Sequence, residues 1–122
     1  LSKIRYGKTN PRTTALVSDL KAKSRENEAP IWRAIAEYME HPNRSHATVN
    51  LSRINRHTAE NESVVVPGKV LGAGELRHPV AVGAFNFSEG AELKITDAGG
   101  ECLTIEEMAN RNPSGANVRI IR

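Results

Sequence analysis

Residues 64–74 read VVVPGKVLGAG: three β-branched residues, a Pro-Gly pair, one lysine and two further glycines. Lysine among glycines after an apolar strand raises the possibility of a phosphate-cradling loop. That loop requires its glycines first and then Gly-Lys-Ser/Thr at the opening of a helix. Here Lys69 follows Gly68 but precedes Val70 and Leu71, and no hydroxyl stands ready to hold magnesium. The glycine spacing of GKVLGAG also fails the dinucleotide fingerprint. The expectation is instead two strands, ESVVV (62–66) and KVLG (69–72), joined by a Pro67-Gly68 turn. Gly68 would supply positive φ there, and Gly72 and Gly74 would permit a bend or a close backbone approach.

Outward from this stretch, strands and short helices alternate. ATVNL (47–51) reads as a short strand, and Ser52 as the cap of a brief helix, SRINRHTAE. HPVAVGAFNF (78–87) is a strand with bulky Val80, Val82, Phe85 and Phe87. Ser88 weakly caps EGAELKITDA, a helix closed by Gly99-Gly100. ECL (101–103) is a strand, and Thr104 with Glu107 forms a capping box opening TIEEMANRN. Pro113 and Gly115 make a turn before a closing strand, NVRIIR (117–122). Toward the N-terminus, Asn10-Pro11 signals a helix start, with Leu16, Val17 and Leu20 on one face to about Ser24. After the connector SRENEA, Pro30 opens a second helix carrying Ile31, Trp32, Ile35, Ala36, Tyr38 and Met39, stopping before Pro42. The layout is α/β after a helical first third. It divides one 122-residue domain into a basic arm (1–10), a helical part (11–41) and an α/β core (46–122).

The composition is that of a soluble chain, 39% hydrophobic and 25% charged, with aromatics at only 4%, so aliphatic residues must build the core. No run approaches the roughly 18 to 20 apolar residues of a membrane span. The basic start, LSKIRYGKTNPR, has no apolar centre, so no secretory signal is expected. Cys102, alone, cannot form an internal disulfide and suits a reducing, cytoplasmic compartment. The net charge of +3 is unevenly spread. Residues 1–25 hold seven bases and one acid, whereas 26–64 sum to −2 and 65–122 to −1. Such asymmetry points to a polyanion, nucleic acid or an anionic membrane surface, or else to a solvated basic face.

Catalytic and metal chemistry find little support. His41, His46, His57 and His78 form no metal spacing with a cysteine or carboxylate. Cys102 lies in an apolar strand, where cysteine usually packs as a small core residue. Glu106 and Glu107 are adjacent and suit a helix N-terminus better than an acid–base pair. The rival reading of a small enzyme using the glycine loop or Cys102 predicts stabilisation by nucleotide. Nucleic acid is better supported. Arg53 and Arg56 share one helix face, near Arg44, His46 and Asn50, and Lys3, Arg5, Lys8, Asn10 and Arg12 line the arm. Tyr6 between Arg5 and Lys8 could stack on a base. The arm has no amphipathic face for lipid, and no helix is dense enough in Arg, Asn and Gln to read a DNA groove.

KTNPR (8–12), RSHATVNLSRINR (44–56), VVVPGKVLGAGEL (64–76), FNFSEGAELKI (85–95) and NPSGANVRIIR (112–122) together resemble the archaeal large-ribosomal-subunit protein eighteen-e family. This is the counterpart of eukaryotic ribosomal protein eighteen and a relative of bacterial large-subunit protein fifteen. The resemblance implies a non-catalytic, cofactor-free constituent of the large subunit that binds large-subunit ribosomal RNA beside neighbouring ribosomal proteins, without a membrane or small-molecule substrate. It also implies an irregular strand-strand-helix (ββα), superhelix-like core behind two helices and the arm. By position, Lys8, Asn10, Arg12, Arg44, Asn50, Arg53 and Lys69 become RNA contacts. Two departures are the low overall charge and the lack of a glycine-rich basic arm, which imply a localised RNA footprint. A free RNA-binding regulator sharing the fold is the remaining alternative, separable by whether the protein sediments with the large subunit.

Overall fold

The computed structural model describes residues 11–40 and 47–122. The elements run α1 (Pro11–Asn27), α2 (Pro30–Met39), β1 (Ala47–Asn50), α3 (Leu51–His57), β2 (Glu62–Leu71), β3 (Val80–Phe87), α4 (Glu89–Asp97), β4 (Glu101–Thr104), α5 (Ile105–Arg111) and β5 (Val118–Ile120). This is the expected α/β class, and β2–β3–α4 keeps the strand-strand-helix order. Every strand pairing is parallel. The order is β1-β2-β3-β4, and β5 joins β2 on the side that β1 also uses.

One expectation fails where the fold is decided. VVVPGKVL is not a hairpin of two strands but a single ten-residue strand, β2. Its partners explain how Pro67 is tolerated. β5 pairs with Ser63 to Val65, β1 pairs only from Gly68 onward, and the register with β3 slips between Val66 and Lys69. Pro67 falls in that gap and bulge, where a missing N–H breaks no ladder bond. Gly68 is not in the positive-φ region either. Its role is proximity: a Cβ there would lie 2.0 Å from the Ala47 carbonyl oxygen of β1. Gly74 is the residue that needs positive φ, at 87°, and it sits against Ser52 of α3. Gly72 lies against the α4 N-terminus at Gly90 and Ala91. The glycines thread the β2–β3 crossover between two helix starts.

Alternation along the strands builds two cores. Val64, Val66, Val70, Val82 and Ala84 pack under α3 and α4 with Leu51, Ile54 and Ile95. Val65, Phe85 and Leu103 turn the other way, toward Leu16, Leu20, Trp32, Ile35, Met39, Ile105 and Met108 of α1, α2 and α5. The sheet is thus a middle layer with helices on both faces. Trp32 is fully buried, and its Nε1 donates 2.9 Å to the Pro113 carbonyl, tying α2 to the turn before β5.

Local signals mostly hold. The Thr104–Glu107 capping box forms with both bonds, and Ser88 accepts from the Ala91 N–H at 3.2 Å. α1 continues to Asn27, past the expected Ser24, so the connector to α2 is short. The N-cap of α3 is Asn50 and not Ser52, whose own N–H donates to the Ala73 carbonyl. The cap expected at Asn10 lies outside the described residues.

Candidate nucleic-acid interface

Of the residues singled out in the sequence, Lys3, Arg5, Tyr6, Lys8, Asn10, Arg44 and His46 lie outside the described residues. Arg12, Asn50, Arg53, Arg56 and Lys69 fall within them, and they divide between two places.

The first place is the edge of the sheet formed by α3 and β5. Leu51 and Ile54 are buried, which turns Arg53 and Arg56 outward on the short helix. Arg53 Nη2 donates 2.9 Å to the main-chain oxygen of Arg122. The Arg122 guanidinium lies 5.2 Å from the Tyr38 ring centroid. Arg119 Nη1 donates 2.8 Å to the carbonyl of His57, with Glu62 at 3.7 Å from its Nη2. Arg56 has no hydrogen bond or ion pair with any described residue and is exposed. Four arginines thus lie on α3, on β5 and just after β5, and among the described residues only Arg119 of the four pairs with a carboxylate side chain. The His57 carbonyl and the Tyr38 ring fix the direction of the Arg119 and Arg122 guanidinium groups without cancelling their charge, which leaves forks suited to phosphate oxygens. Arg119 and Arg122 were not singled out in the sequence, because nothing in VRIIR marks its nearness to α3.

The second place is the other face of the sheet, at the carboxyl ends of the strands. Lys69 is in register with Thr48 of β1 and Asn86 of β3. Their neighbours Val49, Val70 and Phe87 belong to the core beneath α3 and α4. Thr48, Lys69 and Asn86 therefore face the opposite side, and all three are exposed. Lys69 has no hydrogen bond or ion pair with any described residue. Arg12, in the first turn of α1, joins this row: its Nη1 donates 3.1 Å to Asn86 Oδ1, its Nη2 donates to the Phe85 carbonyl, and its guanidinium stacks 4.0 Å over the Phe85 ring. Arg12 is thereby a staple between α1 and β3 as well as a member of the row. Asn50, half-buried, caps α3 through its backbone position.

The glycine segment and Cys102 show chemistry opposite to catalysis. Lys94 Nζ donates to the carbonyls of Gly72 (2.8 Å) and Gly74 (2.9 Å). A phosphate cradle presents N–H groups; these carbonyls already face a cation. Burial, aided by the nearby Glu92 charge, pushes the Cys102 thiol up to about 11, so it stays protonated at neutral pH where a nucleophile needs thiolate. His78 is engaged with the Thr58 hydroxyl at 2.8 Å. Among the described residues there is no group of three His, Cys, Asp or Glu side chains placed to hold a metal, and no helix long and apolar enough to cross a membrane.

The model of the family described as ribosomal protein 60S L18 and 50S L18e matches residues 4–122. The chain is 56% identical to a large ribosomal subunit protein eL18 from Methanoregula boonei over 115 residues, 94% of this chain and 95% of the relative. It is 53% identical to the eL18 of Methanosphaerula palustris, covering 97% and 98% of the two chains. With the eL18 of Haloarcula marismortui it shares 50% identity over 94% of this chain and 98% of that one.

Proposed function

The chain belongs to the family of ribosomal proteins 60S L18 and 50S L18e, and from that membership we propose that it binds and stabilises large-subunit ribosomal RNA through the α3–β5 arginines and the Lys69 row. It is a non-enzymatic structural constituent of the large subunit of the cytoplasmic ribosome. The observation that carries the RNA reading is the set Arg53, Arg56, Arg119 and Arg122, four arginines on α3, on β5 and just after it, of which only Arg119 pairs with a carboxylate side chain among the described residues. Such a set of like charges is unfavourable in the free protein and becomes favourable beside a polyanion. Each lysine or arginine that neutralises a phosphate releases counterions, so affinity falls with salt. Specificity comes from matching the shape of folded RNA.

The arm residues Lys3, Arg5, Tyr6, Lys8 and Asn10 are assigned to the same RNA, since they precede Arg12 in the chain and are basic or polar. Arg44 and His46 belong to the same footprint, since they precede β1 and its Thr48. These assignments rest on charge, polarity and chain connectivity. Neighbouring large-subunit proteins are the proposed partners of the remaining surface. The test is ultraviolet cross-linking of intact large subunits followed by peptide mapping. Adducts on peptides containing Arg53–Arg56 and Arg119–Arg122 are expected; adducts confined to α4 and α5 would overturn the assignment.

A further inference from the structure

A crevice of about 270 Å³ opens outside the carboxyl ends of β3 and β4, beside the Lys69 row. Ligands of open α/β sheets settle in crevices at this end of the strands. Its walls include Arg12, Phe85, Asn86, Glu92, Cys102 and Glu107. The polar atoms are already partly assigned. Asn86 Oδ1 accepts from Arg12, which aligns the amide and leaves its Nδ2 hydrogens without a partner among the described residues. Glu107 Oε1 accepts from the Thr104 N–H at 2.8 Å, leaving its second oxygen. Glu92 makes no ion pair with any described residue and lines the crevice beside Cys102. An amide donor thus stands in a crevice with carboxylate acceptors and aromatic walls.

Phosphate is disfavoured here, because two carboxylates, Glu92 and Glu107, share the crevice with one cation, Arg12, whose guanidinium already holds Asn86 and the Phe85 carbonyl. The part of an RNA that welcomes a carboxylate is the donor edge of an unpaired base. Guanine alone presents two adjacent donors, N1–H and N2–H, next to an acceptor, O6. The donors suit a Glu92 carboxylate and the acceptor suits the Asn86 amide. We propose that this crevice takes one unpaired guanine base from the RNA whose backbone crosses the Lys69 row. The inference rests on the RNA-binding reading above, and it makes Glu92 a specificity residue on an otherwise electrostatic surface.

The test uses the full chain and short RNA hairpins of one stem whose loops differ at a single base: guanine, adenine, cytosine or uracil. A fully paired duplex of the same stem serves as the reference. Wild-type protein is expected to prefer the guanine loop by about tenfold, the discrimination of one good bidentate contact. Glu92→Gln is expected to bring that preference below about twofold while leaving duplex affinity equal or higher, since a repulsive charge is removed. Glu92 is exposed, so the variant should fold as the wild type does. Equal affinity for all four loops with duplex binding intact would overturn the guanine site and leave the RNA reading standing. Equal tightening of every RNA by Glu92→Gln, with the guanine preference unchanged, would overturn the role of Glu92. Failure to bind any RNA, including the duplex, would overturn both.

Discussion

The two edges of the sheet carry opposite chemistry. On the β1–β5 side, α3 has no acid in its first turn, Arg53 and Arg119 are directed by main-chain oxygens and Arg122 by Tyr38, and Arg56 is exposed with no hydrogen bond or ion pair to a described residue. On the β4 side, α4 opens with Glu89 and Glu92, and α5 opens with Glu106 and Glu107. The bases on that side are occupied: Lys94 holds the Gly72 and Gly74 carbonyls, and Arg111 forms a two-point bridge to Glu101 at 2.7 and 3.2 Å. Helix dipoles account for Glu89, Glu106 and Glu107, since acids at helix N-termini stabilise the fold itself, and Glu92 combines that position with its place in the crevice. They do not account for Arg53, a cation in the first turn of α3. A feature that the fold does not favour and does not neutralise calls for a partner. The difference separates charge that builds the protein from charge that meets something else.

Charge reversal should break this contrast most strongly. Arg53→Glu with Arg56→Glu is expected to weaken binding to a large-subunit RNA fragment by about a hundredfold at moderate salt. Glu89→Gln with Asp97→Asn on the other edge should change it by less than about twofold. Filter binding measures both, and comparable losses from the two pairs would erase the distinction between the edges. Glycines sharpen it next. Gly68→Ala drives a methyl into the Ala47 carbonyl of β1 and should cost about 1–3 kcal/mol in urea unfolding. Gly90→Ala, in α4 with nothing within 4 Å of the added carbon, should instead stabilise by about 0.4–1 kcal/mol.

Smaller effects belong to titration. The Cys102 thiol is held up at about 11, so its alkylation rate at neutral pH should lie far below that of a free thiol and climb only in strong base. Because the folded form retains that proton longer than the unfolded chain, stability should decline between about pH 9 and pH 11. Glu101 titrates below the ordinary carboxylate range because Arg111 hydrogen-bonds and attracts it. Its contribution is therefore present above that range and lost as pH falls through its lowered value. Glu101→Gln should leave only a slight shift in the acid-unfolding curve, since the pair is exposed.

How much of this was readable in the residues follows from how local each signal is. Pro11, Pro30, Ser88 and the Thr104–Glu107 box act within one helical turn, and each marks a helix start in the structure. Pro67-Gly68 misled because turn chemistry is a local preference, while the continuity of β2 comes from three strands pairing along it. Arg53 and Arg56 were selected by spacing on one helix face. Arg119 and Arg122 were not, because their contacts to His57 and Arg53 span 62 and 69 residues of chain. Thr48 and Asn86 gained significance only from their register with Lys69, which no local pattern encodes.

The salt dependence of binding to large-subunit RNA addresses the arginine edge most directly. Log affinity against log salt is measured for the wild type and for Arg53→Ala with Arg56→Ala. If both side chains neutralise phosphates, the slope of the variant falls by about one to two units and its affinity drops, while its circular dichroism is unchanged. An unchanged slope with an intact fold would show that these arginines do not meet the RNA backbone.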